Sequence, residues 1–254
     1  MTVRQVLFPA PGREPLLVTA PDTIRHVVVL QPAPTEPRAG RYGVFAQWSR
    51  YWAQLGVATI VSDPPGSGDS LVVADPAVWS AQRAGALRHA RLIAPGRPVH
   101  ELARGAACAL FATTGGEDTG GEDEAEGSGT VRIAMSPPTP QECRRVAEVL
   151  RARQSPDSPD QAAEPGDAAY TLGAASLGPG PGRDIAGVLD WAANRLESVR
   201  WDLELRVTPR RPRAGSSVVF GDADPLGALE VTRAGIGWVL GAAFDELANT
   251  ANWS

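Results

Sequence analysis

Two short runs, HVVVL (His26–Leu30) and VATIV (Val57–Val61), are apolar almost throughout and bracket a stretch with helical periodicity. A strand without alternating polar positions must be covered on both faces, which is the condition of a parallel sheet between layers of helix. Parallel neighbours in turn need a crossover connection, usually a helix. Between the two runs, Val44, Phe45, Trp48, Tyr51, Trp52 and Leu55 recur at helical spacing, predicting one apolar face on a helix that stops at Gly56.

The rest of the chain extends the same alternation. VRQVLF (Val3–Phe8) and PLLVT (Pro15–Thr19) read as two opening strands, antiparallel across the turn residues PAPGRE. A helix from about Trp79 to Ile93 leads into the strand RPVHEL, and TVRIAM (Thr130–Met135) is a further strand. In TPQE, Thr139 is the N-cap, Pro140 the first helical residue and Glu142 the reciprocal partner of a capping box, with the helix running to about Ala152. DIAGVLDWAANRLESV is amphipathic. WDLELRV (Trp201–Val207) alternates, so one of its faces should be wet and the strand should lie near a sheet edge. SVVF and a helix near Val231–Leu247 close a single α/β domain, 1–254, with a mostly parallel central sheet and helices on both faces.

Several function classes are excluded early. The chain of 254 residues carries a net charge of −5 and no basic patch interleaved with aromatics, so nucleic acid is not its partner. It contains no lysine, which removes Schiff-base chemistry and the P-loop lysine. Cys108 and Cys143 are the only cysteines and read as two buried free thiols. No apolar run reaches membrane-spanning length and no signal peptide opens the chain, so a cytoplasmic protein without a membrane span is expected. Two segments have little to bury. Residues 115–129 carry six acidic side chains among glycines, and residues 153–168 are rich in Pro and Asp. Both read as surface loops. The acidic loop does not have EF-hand spacing, and the histidines and cysteines make no ligand pattern, so neither a metal nor a cofactor is expected. A basic protein partner for the acidic loop is a further reading, and such an encounter would weaken with salt.

The most specific signal follows Val57–Val61. Strand residues run into D-x-x-G-x-G-x-S, with Asp63, Gly66, Gly68 and Ser70 in the fixed places. A dinucleotide fingerprint would need a third glycine at Leu71 and a helix opening there, and has neither. This stretch resembles the turn after the fourth strand of α/β-hydrolases. Together with VVVLQPAPTEPRAG, the Trp79 helix, RPVHELARGAACALFA and AAYTLGAASLG, it resembles the exosortase A-associated hydrolases of the second type, bacterial proteins found with exopolysaccharide and protein-sorting systems. The likeness runs best from about Val3 to Phe111.

That resemblance implies a serine on a strained G-x-S-x-G turn, an acid that orients a histidine, and backbone donors for an oxyanion. Carried over by position, Gly105 fits the closing glycine, Ala106 the small residue after it, and Glu101 the opening glycine. The nucleophile position then falls on Ala103. A register shifted by one gives Leu102 or Arg104, and neither attacks a carbonyl. The loop that would hold the oxyanion reads Gln31-Pro32, where Pro32 has no N–H and Ala33 is the remaining donor. His26, His89 and His100 all precede or enter the elbow strand, whereas the family supplies its histidine near the C-terminus. Ser176, in AASLG, precedes PGPG and so lacks the elbow's helix. Asp222 and Asp224, in FGDADP, look like an acid-bearing loop with no histidine to orient. The expectation is a degenerate, non-catalytic homologue that binds a small molecule or a protein partner in a vestigial pocket at Gln31, Ala33 and Arg104. The alternative is an esterase or thioesterase with atypical catalytic groups.

Overall fold

In a computed structural model the described residues are 3–10, 13–34, 36–40, 43–68, 70, 73–112, 131–154, 184–206 and 217–219. Their strands are β1 (Val3–Ala10), β2 (Arg13–Pro21), β3 (His26–Gln31), β4 (Val57–Val61), β5 (Val99–Arg104), β6 (Arg132–Met135), β7 (Leu203–Arg206) and β8 (Ser217–Val219). They form one eight-stranded sheet in the order β1-β2-β4-β3-β5-β6-β7-β8. The β1–β2 and β2–β4 pairings are antiparallel and all others are parallel, as the apolar runs predict.

Helices cover both faces. Helix α1 (Val44–Gln54) packs on Val28, Leu30, Val57, Val61 and Leu102. Helix α2 (Pro76–Ile93) packs on the alternate residues Val27, Val29, Ala58, Ile60 and Val99, which point the other way because successive strand residues do. Ala103 and Ala134 continue that second face under a 3-10 helix (Gly105–Phe111), α3 (Pro140–Gln154) and α4 (Ile185–Leu196). No helix among the described residues is long and apolar enough to cross a membrane.

Local chemistry explains the ends of these elements. Helix α2 starts a turn earlier than Trp79 because Asp75 accepts the Ala77 N–H at 2.7 Å and Pro76 occupies the first helical position. The capping box on α3 is present: Glu142 accepts the Thr139 N–H at 2.7 Å, and Thr139 Oγ1 accepts the Glu142 N–H at 3.1 Å. That helix runs through Arg153 and Gln154, two residues into the expected loop. Helix α1 is rotated from the expected face. Ser49 and Ala53 are buried, whereas Tyr51 and Leu55 are exposed.

Strand β7 departs from its pattern too. It lies one strand in from β8, and Glu204, expected on a wet face, is buried and accepts the Trp201 indole N–H at 3.2 Å. A buried carboxylate with donors is tolerated where an unpaired one is not. The helix expected near Val231–Leu247 lies outside the described residues, as do the 115–129 loop and 155–168.

The histidines are built into this frame. His26 Nδ1 and His100 Nε2 are 3.2 Å apart in the core, and His100 Nδ1 accepts the Val131 N–H at 3.3 Å. His100 therefore carries its proton on Nε2 and donates to His26. Burial, and then neighbouring His26, push the His100 imidazole down to about 4. The unfolded chain binds that proton more readily, at an ordinary value near 6.5, so the contribution is intact above 6.5 and is lost as pH falls through that window. Denaturant midpoints should drop between pH 6.5 and pH 4 by about 3 kcal/mol of stability, at roughly 1.4 kcal/mol per pH unit. In His100→Gln this segment of the pH profile should flatten.

Candidate functional site

The carboxyl ends of β3, β4 and β5 form one rim of the sheet, and the glycine motif organises it. Asp63 is buried just past β4 and accepts two bonds from Arg38, its backbone N–H at 2.6 Å and Nη1 at 2.5 Å. The Asp63 carbonyl accepts from Gln82 Nε2 of α2 at 3.3 Å. One residue thus ties the loop after β3, the loop after β4 and a helix together. The Ser67 hydroxyl adds a bond to the Pro34 carbonyl, and Ser70 Oγ accepts the Gly66 N–H at 3.2 Å. Gly68 has φ +55°, and a Cβ there would sit 2.2 Å from Asp63 Oδ1. D-x-x-G-x-G-x-S is therefore a structural knot whose carboxylate occupies the space a side chain at 68 would need.

Strand β5 carries two buried arginine–carboxylate pairs. Glu101 receives a bidentate pair from Arg83 of α2, Nε at 2.6 Å and Nη2 at 2.8 Å, with Arg132 Nε 3.8 Å away. Arg104 Nη1 donates to Glu36 Oε1 in the loop after β3. These pairs correct the position of the turn. The sequence reading ends the strand RPVHEL at Leu102 and, by the family motif, puts the reactive position of the turn at Ala103. Both charges are paired, so β5 continues to Arg104. Ala103 is an ordinary strand residue between Gln31 and Ala134, with its side chain fully buried under the 3-10 helix. Its carbonyl accepts from Cys108 Sγ at 3.3 Å.

The residue at the strand-to-helix turn with a left-handed backbone is Gly105, φ +58°. The apex thus lies two positions beyond Ala103 and bears no side chain. The signal that could have found it is the glycine itself, set directly between an apolar strand and a run of small residues.

The other sequence-derived candidates are scattered. Gln31 and Ala33 are buried at the end of β3, close to the Glu36–Arg104 pair, so Gln31, Ala33 and Arg104 do share this rim. Ser176, Asp222 and Asp224 lie outside the described residues. The three histidines of the sequence are all described, and none lies at the rim. His26 and His100 sit at the amino ends of β3 and β5. His89, near the carboxyl end of α2, packs against Phe8 in a tilted ring contact with centroids 4.5 Å apart, and burial lowers its pKa. Burial raises the Cys108 thiol and pushes Cys143 up to about 12, so both stay protonated. Among the described residues no group of three His, Cys, Asp or Glu side chains could hold a metal ion. Glu36, Arg38 and Arg83, which shape the rim, carry no sequence signature beyond their charge.

No family model matches the chain, and no curated protein is similar to it in sequence. Solved structures are similar in shape. An esterase from Pyrococcus furiosus superposes with a TM-score of 0.56 at 10% identity, covering 97% of this chain and 91% of its own. A soluble variant of monoglyceride lipase from Saccharomyces cerevisiae gives 0.56 at 11% identity, with 94% and 96% covered. This chain has the α/β-hydrolase fold. A thermophilic esterase from Thermogutta terrifontis, at 0.53 and 16% identity over 98% and 99%, adds to the same group. An α/β-hydrolase fold mounts its reactive side chain on the strained turn between a central strand and the next helix. Here that turn is Arg104–Gly105–Ala106, on an unbroken central strand.

The glycine turns make stability predictions. Gly68→Ala combines a left-handed backbone with a clash against a fixed carboxylate, and should destabilise by about 3 kcal/mol or more. Gly105→Ala carries the left-handed backbone cost, about 1–2 kcal/mol. Urea denaturation of both variants checks this ranking.

Proposed function

We propose that the chain is a non-catalytic α/β-hydrolase-fold protein that binds a ligand or a partner protein. Its seat is the rim between β3 and β5, where Gln31, Ala33 and Arg104 stand. The observation that carries this reading is the bare apex. At the turn where the fold presents an attacking oxygen, Gly105 presents a hydrogen. The missing base supports it independently, since every imidazole in the chain is held at the opposite end of the strands or on the far turn of α2. Acyl transfer by the fold's usual route needs both groups within bonding reach.

The sequence resemblance to exosortase A-associated hydrolases of the second type supports a setting for this binding: a bacterial cytoplasm, beside machinery for exopolysaccharide export or protein sorting. The neighbouring esterase and lipase structures share the fold, and a fold hosts many activities, so they do not bring their reactions with them.

Purified full-length protein is expected to take up no fluorophosphonate probe. Its rates on p-nitrophenyl ester and thioester panels should match buffer alone. Intact-mass spectrometry decides the first point. A serine adduct, at Ser176 or elsewhere, would establish the alternative of an active esterase or thioesterase, and Ser176→Ala would then abolish labelling if that is the residue.

A further inference from the structure

We propose that Arg104 is the receptor for an oxyanion-bearing ligand, a carboxylate or a phosphate group, and that Glu36 fills its place when the ligand is absent. This rests on the reading of the rim as a binding seat. Three observations lead to it.

The first is topological. The chain passes from β3 to β4 on one side and then returns to β5 on the other side of β3, so the connection reverses between β3 and β5. In open parallel sheets the crevice outside the carboxyl ends at such a reversal is where ligands bind. Glu36 follows β3 and Arg104 ends β5, so the two residues stand on either side of that point.

The second is a contrast within one strand. Arg83 grips Glu101 with two nitrogens on two oxygens, the complete fork geometry. Arg104 reaches Glu36 through Nη1 and Oε1, while Arg104 Nε and Glu36 Oε2 are both buried with no hydrogen-bond partner. Unmet polar groups of this kind are costly, so a pair made for stability alone would be expected to close as Arg83–Glu101 does. A carboxylate or phosphate with one oxygen on Nε and another on a second nitrogen would complete the fork.

The third is access. The Arg104 side chain keeps 15% of its surface exposed against 5% for Glu36, so the cation is the member of the pair nearer to solvent. Arg38, also at the rim, is held by Asp63 through two bonds that also fix the loop, so it is not available for exchange without undoing the knot.

Isothermal titration of the full chain with inorganic phosphate, and separately with acetate, at constant ionic strength tests the assignment. The wild type should bind at least one of the two. Glu36→Gln removes the competing charge and should tighten that binding about tenfold, while Arg104→Gln should abolish it. Arg104→Lys keeps the charge without the fork and should weaken binding about tenfold. It serves as the deciding variant if circular dichroism shows that Arg104→Gln does not fold. Preference for phosphate over acetate, or the reverse, names the group the ligand carries. Failure of both anions to bind wild type and Glu36→Gln would overturn the proposal, as would unaltered binding in Arg104→Lys. Neither result bears on serine labelling, so the non-catalytic reading stands or falls separately.

Discussion

Asp63 is the interaction on which the carboxyl rim depends. Its two oxygens hold the backbone and side chain of Arg38, and its carbonyl holds Gln82, so three segments distant in sequence share one anchor. The carboxylate is buried, and removing one of its partners from such a site is strongly destabilising. The two glycines of the motif then become obligatory for different reasons. Gly66 lies against Ala74, and Gly68 against the carboxylate itself. What reads in the sequence as a loop signature is a means of keeping a charged group dry without a ligand.

The same principle governs β5. An interior strand carrying a histidine, a glutamate and an arginine within five residues looks poorly suited to a sheet centre. Each is matched: His100 by His26 and Val131, Glu101 by Arg83, Arg104 by Glu36. Alternation sends Glu101 towards α2 and His100 and Arg104 towards the other face, so the charges do not crowd one another. The strand gains three polar anchors to its surroundings, two of them ion pairs.

The sheet was legible from its apolar runs because burial on both faces leaves few alternatives. Strands β3 and β4, the crossover α1 and the capping box at Thr139 all stand where the residues implied. The elbow was legible as a turn but misplaced by two residues, since the side chains that neutralise Glu101 and Arg104 come from positions 83 and 36, far away in sequence. Glu204 was misread for a different reason: its donor, Trp201, is close in sequence but lies before the strand, which starts at Leu203, so the alternation does not extend to it. Periodicity reports which positions are apolar, whereas these sites turn on which polar groups find one another after folding. The face of α1 shows a milder version, with packing choosing Ser49 and Ala53 over larger apolar residues.

Strand pitch sets a lasting consequence for the chain. His100 and Gly105 are five positions apart on an extended backbone, which at about 3.3 Å per residue separates them by about 16 Å. No rotamer spans that gap, and the strand between them is clamped by both neighbours. A hydroxyl arriving at position 105 by a single codon change would find no proton acceptor among the imidazoles already present. Ester cleavage by that route would need a second change that brings a base to the turn from another segment.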